Sequence, residues 1–236
     1  MAIRQIVLDT ETTGISVEQG HRIIEIGCVE LVDRKLTGRE YHQYINPERI
    51  IESEAFAVHG ISNEFVADKP VFRDVAKEVV EFISGSELII HNAPFDLSFL
   101  NYELSLTGRG FKSVGDYCKI LDTLVLARKL HVGQRNSLDA LCRRYAVDNT
   151  KRDLHGALLD SHLLAQVYLA MTGGQGSFFD QDTSSRNNST TNAVQSNVPL
   201  DKMNLNVIYA NHEEIAEHEK YLNMLEKKGK CLWSDS

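Results

Sequence analysis

The chain has 236 residues, of which 25 are lysine or arginine and 33 are aspartate or glutamate, so its formal net charge at pH 7 is −8. Apolar residues make up 42% of the chain, as in ordinary globular proteins, which excludes a chain that is disordered throughout. The length indicates one domain with an appendage. The acidic balance argues against a protein that holds nucleic acid by its own basic surface, but it allows a nucleic-acid enzyme that a partner delivers to its substrate.

Neither a membrane segment nor a disulfide framework is expected. The sequence contains no run close to the ~20 consecutive apolar residues of a membrane helix, and its first residues lack a signal-peptide pattern. We therefore expect a soluble, cytoplasmic protein with no membrane contact. The four cysteines are widely separated and form no C-x-x-C pair, so we expect reduced thiols and no zinc site. They are Cys28, Cys118, Cys142 and Cys231.

Apolar segments predict an α/β domain with a mixed, five-stranded sheet flanked by helices. The predicted strands are residues 5–8, 23–31, 41–45, 87–91 and 118–122. The first three follow one another at short spacing, which favours an antiparallel meander, and helices then alternate with strands. The predicted helices are residues 71–82, 95–106, 123–130, 137–145 and 156–171.

The composition changes sharply after this domain, which we predict to span residues 1–174. From residue 180 to residue 197 the only aliphatic side chains are Ala193 and Val194. Such a stretch cannot bury enough apolar surface to offset the entropy lost on ordering. We therefore predict a flexible linker over residues 175–205.

Residues 206–236 are predicted to form a C-terminal tail with one amphipathic helix. Asn211 and Glu214 have the spacing of a capping box, and Gly229 offers a stop. The tail also carries the only tryptophan of the chain, Trp233. An apolar stripe beyond a linker has little core to join, so docking on a partner is favoured over packing against the domain. The apolar residues on one face of this helix are Ile215, Leu222 and Leu225.

Two acidic residues follow the apolar part of the first predicted strand, in the sequence Asp-Thr-Glu-Thr-Thr-Gly of residues 9–14. Because side chains alternate along a strand, Asp9 and Glu11 project to the same face, and Gly14 permits the backbone to turn away. Two anions so close repel each other unless a cation lies between them. The alternative is an ordinary solvated strand end.

Further acidic residues lie in two later segments. Asp96 comes just past a buried strand, where α/β sheets often bind ligands, although it could equally be a first-turn acid that favours the helix dipole. Asp160 lies in a largely apolar helix, where a charge without a partner is costly. His155 precedes that helix, and its alternative role is that of an exposed loop histidine.

Together the four carboxylates form an all-oxygen set that suits Mg²⁺ or Mn²⁺. Two such cations, roughly 3.5 to 4 Å apart, can hold the attacking and leaving oxygens of a phosphoryl transfer. The sequence therefore predicts a phosphodiester hydrolase with two divalent metal ions. His155 would take the proton of the attacking water.

These segments resemble the three motifs of the DEDDh class of 3′-to-5′ exonucleases. The matching segments are residues 9–14, 91–96 and 155–160, in the order of the family and with all five functional positions present. The resemblance implies a ribonuclease H-like fold. It also implies that His155 is the general base and that the metal ligands are Asp9, Glu11, Asp96 and Asp160.

Within that class, the chain is similar to the epsilon proofreading subunits of bacterial DNA polymerase III. Residues 54–60, 135–142 and 154–160 carry this closer similarity. It implies removal of mispaired 3′-terminal nucleotides from DNA as 5′-monophosphates. The implied contacts of the terminal nucleotide are Asp9, Thr10, Glu11, Glu54, His59, Asn92, Phe95 and Asp160. For His59 a capped turn before Gly60, and for Phe95 simple core packing, remain as alternatives.

Two further resemblances concern partners. The segment 175–179 is similar to peptides that dock on the sliding clamp, which implies clamp contacts by Gln175, Ser177, Phe178 and Phe179. The tail is similar to the region of epsilon subunits that binds the polymerase alpha subunit. A linker between enzyme and anchor would keep the nuclease near the primer end at high effective concentration. The sequence leaves open whether a small, theta-like stabilising subunit also binds.

Two other functions are weighed against proofreading. An RNA-trimming exonuclease would share the chemistry, but it would have no reason to carry the linker and the tail with its tryptophan. A non-catalytic subunit that bridges polymerase and clamp would be favoured by the loss of any one carboxylate, and none is lost.

Overall fold

The computed structural model describes residues 3–150, 152, 154–173 and 210–227. The chain divides into two units, Met1–Ser184 and Ser185–Ser236. The predicted linker and the clamp-like peptide within it lie outside the described residues, as do Gly229, Cys231 and Trp233.

Five strands in the first unit form one mixed sheet with the order β3-β2-β1-β4-β5, which confirms the predicted sheet. The first three strands make the expected antiparallel meander, while β1 and β4, and then β4 and β5, pair in parallel. The strands are β1 (Arg4–Thr12), β2 (Ile23–Val32), β3 (Lys35–Tyr44), β4 (Glu87–Ile90) and β5 (Lys119–Asp122).

Two strands extend further than the apolar pattern indicates. β1 runs on to Thr12, because β2 continues to pair with it as far as Ile23. The acidic residues after the apolar part of β1 are therefore held within the sheet rather than after it. β3 begins at Lys35 at one edge of the sheet, and its first residues are exposed, so no apolar alternation marks them.

Helices cover both faces of this sheet. Five of them lie within two residues of the predicted bounds: α3 (Phe72–Ile83), α4 (Ala93–Leu106), α5 (Thr123–Leu130), α6 (Leu138–Arg144) and α7 (Ala157–Thr172). Two short helices were not predicted, α1 (Ser53–His59) and α2 (Asn63–Val66). Both bury few side chains, so they carry little helical periodicity.

The two faces of the sheet build two separate apolar cores. On one face, Ile6 and Leu8 of β1 are fully buried in the core that α3 and α4 share with the sheet. On the other face, Val7 packs with Leu164 of α7 and with residues of α5 and α6. Full burial of one such side chain contributes roughly 1.5–3 kcal/mol. The sheet is thus held rigidly between two helical layers.

The described part of the second unit is one helix, α8 (His212–Glu226). The backbone N–H of Asn211 donates to Glu214 Oε2 at 2.9 Å, and the N–H of Glu214 donates to Asn211 Oδ1 at 2.9 Å. This reciprocal pair is the predicted capping box. Ile215 and Leu222 of the predicted apolar face are not fully buried.

None of the described helices is both long enough and apolar enough to cross a membrane. The cysteines in this part of the chain are free and buried; they are Cys28, Cys118 and Cys142.

Candidate active site

A cavity of about 900 Å³ opens at the edge of the sheet where the parallel strands β4 and β5 end, beside the last residues of β1. This is the edge at which α/β sheets generally bind ligands, because the chain leaves the sheet there in loops and helix starts. The carboxylates and the histidine that sequence reasoning singled out all line this cavity. They are Asp9, Glu11, Asp96, His155 and Asp160.

Strand β1 presents its side chains to both helical layers. Asp9 and Glu11 lie on the face that also carries Val7, toward α7. Thr10 lies on the opposite face, where its hydroxyl donates to Asp96 Oδ1 at 2.7 Å. Asp96 belongs to the first turn of α4. This hydrogen bond therefore fixes Asp96 against β1, the strand that carries Asp9 and Glu11 on its other face.

Helix α7 approaches the sheet unusually closely at its first turn. Gly27 of β2 pairs with Asp9 across the sheet, and a Cβ on Gly27 would lie only 2.2 Å from the backbone nitrogen of Leu158. The Ser161 hydroxyl donates to the Gly27 carbonyl at 2.8 Å. The backbone N–H of Ala157 donates to Glu25 Oε2 at 3.1 Å. These contacts fix the start of α7, and with it Asp160, over β1.

Glu11, His155 and Asp160 offer ligand atoms that lie within 4.8 Å of one another. His155 Nδ1 is 3.6 Å from Asp160 Oδ2, and its side chain is 45% exposed, so the imidazole faces the cavity and solvent together. The backbone N–H of His155 donates to the Val58 carbonyl at 3.1 Å. His155 is therefore a loop histidine that is held at the site.

The carboxylates destabilise one another's charged forms. Burial, followed by the charges of Asp96, Glu11 and Asp160, raises the pKa of Asp9 well above its ordinary value. Burial and the charge of Asp160 raise the pKa of Glu11 to about 8. Burial raises the pKa of Asp96 to about 7, although the Thr10 hydroxyl opposes this shift. The site thus has an excess of negative charge that a bound cation would relieve.

Arg152 already lies within this cluster. Its Nε and one terminal nitrogen donate to both oxygens of Asp160 at 2.5 and 2.6 Å, and its other terminal nitrogen donates to Asp139 at 2.6 Å. The first of these terminal nitrogens also lies 3.2 Å from His155 Nδ1, which can only accept from a guanidinium. Burial alone would lower the pKa of Arg152, but the bonds and charges of Asp160 and Asp139 raise it. Arg152 is therefore a fixed cation.

A second, more apolar cavity of about 480 Å³ adjoins the first and shares Thr10, Glu11 and Phe95 with it. Glu54 and His59 of α1 line this cavity. Both residues thus lie beside the carboxylates, although α1 itself was not predicted. The Phe95 ring centroid lies 5.0 Å from that of Phe99, which confirms the predicted packing, while its contact with a nucleotide stays a prediction.

His59 is buried, and one of its ring nitrogens has no hydrogen-bond partner among the described residues. The backbone N–H of Ile61 donates to its Nδ1 at 3.0 Å, so the ring proton belongs on Nε2. Nε2 itself has no hydrogen-bond partner among the described residues. Burial lowers the pKa of His59 and outweighs the opposing effect of the Thr12 carbonyl nearby. A neutral imidazole with a vacant N–H suits a ligand that accepts a hydrogen bond.

Two backbone features shape the rim of the site. Asn92 adopts a left-handed conformation with φ 68° before α4, which asparagine tolerates, and its N–H donates to Asp122 Oδ1 at 3.2 Å. The chain bends at residues 13–15 directly after β1, as predicted for Gly14, although the φ of Gly14 lies outside the left-handed region. Gly14 is needed for space, because a Cβ there would lie 2.3 Å from the ring of His21.

Sequence reasoning missed three residues that build this site: Glu25, Gly27 and Arg152. Glu25 and Gly27 lie in an apolar strand, and only the approach of α7 gives them a role. A charged residue inside an apolar strand was the available signal for Glu25. Arg152 lies in a polar segment, where an arginine usually points to solvent.

Known proteins resemble this chain in sequence. Residues 6–168 match the exonuclease family RNase T. The DNA polymerase III subunit epsilon of Escherichia coli (strain K12) is 51% identical over 235 residues, which cover 98% of this chain and 97% of that protein. The subunit of the same name from Rickettsia felis is 48% identical over 228 residues, covering 96% of this chain and 98% of its own.

Solved structures of exonucleases also resemble this chain. Exonuclease X in complex with 5′-overhanging duplex DNA superposes with a TM-score of 0.57 at 27% identity, over 71% of this chain and 90% of that one. Exonuclease I superposes with a TM-score of 0.59 over 71% of this chain and 40% of its own. Its identity is only 12%, so this second likeness concerns the fold alone.

Proposed function

Since the chain belongs to the exonuclease family, and within it to the DNA polymerase III epsilon subunits, we infer that it is the 3′-to-5′ proofreading exonuclease of a bacterial replicase. It removes mispaired nucleotides from the 3′ end of DNA and releases 5′-monophosphates. The observation that carries this function is the convergence of four carboxylates and one histidine on a single open cavity.

The residues of this cavity fit divalent cations. Carboxylate oxygens are the ligands that Mg²⁺ and Mn²⁺ prefer. Burial, followed by the charges of neighbouring carboxylates, raises the pKa of Asp9 and of Glu11, and a bound cation would relieve this repulsion. Two such ions, when bound, would activate a water molecule and stabilise the negative charge that develops on the phosphodiester. The residues that would hold them are Asp9, Glu11, Asp96 and Asp160.

His155 would act as the general base. It stands beside Asp160 on the solvent side of the cavity, so a ring nitrogen can take a proton from a water molecule and release it to bulk solvent. For Nδ1 to act in this way, the guanidinium of Arg152 must first give up its contact with that nitrogen. The position of His155 depends on its backbone bond to Val58 and on the start of α7.

The second cavity would receive the terminal nucleoside. Its apolar part includes Ile15, Val58 and Phe95, which suits a base, and the vacant Nε2–H of His59 can donate to a phosphate or sugar oxygen. Glu54 and Asn92 would contact the same nucleotide. A mispaired end frays more readily than a paired one, so a site that accepts only a single strand removes errors without reading the base.

The remaining partners rest on the sequence. We propose that the C-terminal tail binds the polymerase alpha subunit and that residues 175–179 bind the sliding clamp. The exposed helix α8, with Ile215 unburied, supports a docking role for the tail. A small theta-like subunit remains a proposed partner of the nuclease domain, and the cytoplasm of a bacterium is the compartment in which such a replicase works.

The function is tested by degradation of primer-templates with matched and mismatched 3′ ends, in Mg²⁺ and in EDTA. We expect the full chain to remove the mismatched end faster, only with the metal, and Asp9→Ala to abolish this activity. Asp116→Ala, which removes an exposed acid from the other end of the sheet, is the matched control and should retain it. Activity in Asp9→Ala equal to that of the control would overturn the assignment.

A further inference from the structure

Positive charge is concentrated beside the cavity, although the chain as a whole is acidic. Residues 123–147 contain five lysines and arginines and only one acid, Asp139. They form α5, the loop 131–137 and α6. The basic residues are Arg128, Lys129, Arg135, Arg143 and Arg144. We call the surface formed by Arg128, Lys129 and Arg135 the basic wall.

The two adjoining cavities differ in charge. The larger cavity, which holds the carboxylates, is lined on one side by Arg128, His131 and Gln134. The smaller, apolar cavity is lined by Glu11, Glu52 and Glu54 and by no lysine or arginine. Phosphate groups are therefore favoured on one side of the carboxylates and disfavoured on the other.

Side-chain hydrogen bonds of Asn136 and Arg144 hold the loop 131–137. Asn136 is buried, and its side-chain nitrogen donates to the carbonyls of His131 and Gln134 at 3.3 and 3.0 Å. Arg144 donates to Asn136 Oδ1 at 3.2 Å and to the Arg135 carbonyl at 2.9 Å. Arg144 is thus occupied within the fold, and it fixes the backbone that presents Arg135.

The side chains of the basic wall are exposed and form no ion pair with any described residue. By contrast, Arg4, Arg22 and Arg73 each pair with a glutamate elsewhere in the domain. Unpaired cations beside a carboxylate cavity are suited to a polyanion that passes over them. Arg128 and Lys129 also lie in the last turn of α5, where positive charge interacts favourably with the helix dipole.

We propose that the basic wall binds the phosphates of the single DNA strand on the 5′ side of the bond that is cleaved. This inference rests on the proposed function and assigns a direction to the strand. The terminal nucleoside enters the apolar cavity, the phosphodiester to be cleaved lies at the carboxylates, and the preceding phosphates pass the basic wall, of which Arg128 lines the larger cavity. The wall counteracts the repulsion that an acidic protein exerts on DNA.

The salt dependence of strand binding tests this proposal. The probe is a fluorescein-labelled oligothymidylate whose 3′-terminal linkages are phosphorothioates, which resist hydrolysis, and its affinity for the full chain is measured by anisotropy at increasing NaCl. For single strands, each phosphate contact contributes roughly 0.7 to the slope of log affinity against log salt. We expect Arg128→Gln and Arg135→Gln each to weaken binding and to reduce the slope by about 0.7.

Lys119→Gln is the matched control, because it also removes one exposed cation but lies at the amino end of β5, opposite the cavity. It should leave the slope unchanged. If Arg128→Gln and Arg135→Gln keep the slope of Lys119→Gln, the proposal is wrong. A lower melting temperature with an unchanged slope in Arg128→Gln would instead show a role at the end of α5.

Failure of the proposed function would be recognised separately. In that case the wild-type chain would not degrade unmodified oligothymidylate in Mg²⁺. The salt slopes do not depend on hydrolysis, so they still decide whether the basic wall binds the strand.

Discussion

At the scale of single residues, the site is governed by a balance between crowded carboxylates and one arginine. Asp160 is 3% exposed and gives both its oxygens to Arg152. The sequence predicted the acids, because a charge at the end of an apolar strand or in an apolar helix stands out. It could not predict Arg152, since only the fold brings that side chain from a polar segment into the cluster.

Arg152→Gln should strengthen metal binding. The Arg152 guanidinium binds the Asp160 carboxylate and repels a metal ion. Even at the dielectric of water, repulsion between two unit charges about 4 Å apart costs about 1 kcal/mol. This cost corresponds to a roughly fivefold change in metal affinity. We expect the dissociation constant for Mn²⁺, followed by electron paramagnetic resonance, to fall at least this much. Arg34→Gln, whose arginine binds the end of α7 instead, is the control. Equal or weaker binding by Arg152→Gln would mean that Arg152 does not compete with the metal.

Glu11→Gln should stabilise the metal-free protein increasingly as the pH rises. Unfolded, Glu11 loses its proton near its ordinary pKa of 4.5, whereas folded it keeps the proton until about pH 8. Between these values the folded state binds more protons, so the free energy of unfolding of the wild type falls with rising pH. Glutamine does not titrate, so the variant lacks this contribution to the fall in the free energy of unfolding.

Urea denaturation in EDTA from about pH 5 to about pH 8 measures the difference. We expect the free energy of unfolding of Glu11→Gln to rise relative to that of the wild type across this range, by more than about 1 kcal/mol at the upper end. Glu64→Gln, which removes an exposed carboxyl at the start of α2, should show no such gain. A difference that is constant with pH would contradict the raised pKa of Glu11.

At the scale of elements, the site depends on how closely α7 lies against β2. The strands and the longer helices were predictable, because burial imposes apolar periodicity on them. Helix α1 was not, since its seven residues leave Phe56 and Val58 largely exposed. The close approach at Gly27 was equally hidden, because a glycine in a strand does not reveal which element comes near it.

Gly27→Ala should damage both stability and activity. Its new Cβ would meet the backbone of α7 at 2.2 Å, so the helix and the attached Asp160 must shift. Overpacking of this kind costs typically 1–3 kcal/mol. Gly115→Ala meets no atom within 4 Å and should behave like the wild type in thermal denaturation and in nuclease assays. Wild-type stability and activity in Gly27→Ala would show that the contact is not needed.

At the scale of the whole molecule, we propose that catalysis and recruitment occupy different parts of the chain. The folded unit carries the cavity, while the tail, beyond the predicted linker, carries a capped helix with unburied apolar residues. The acidic charge of the chain is compatible with this proposal, because a subunit delivered by partners would need only a local basic wall to guide a strand. The linker stays a prediction from composition, because it lies outside the described residues, whereas the place of the wall beside the cavity required the fold.

A chain shortened to residues 1–184 should separate the two parts. We expect it to degrade short single-stranded oligonucleotides at the wild-type rate, because the described cavity residues all precede the division. In gel filtration it should no longer co-elute with the polymerase alpha subunit. Full-length Asp9→Ala should show the reverse, with binding kept and activity lost. Co-elution of the shortened chain would place the polymerase contact in the nuclease domain.

The central claim is that the carboxylates of the cavity hold divalent cations for hydrolysis. Its most direct test is a titration of the full chain with Mn²⁺ in the presence of thymidine 5′-monophosphate, with bound metal counted by electron paramagnetic resonance. We expect two bound ions per chain in the wild type and in Asp116→Ala, and the loss of at least one in Asp160→Asn. Equal Mn²⁺ binding by the wild type and Asp160→Asn would contradict the central claim.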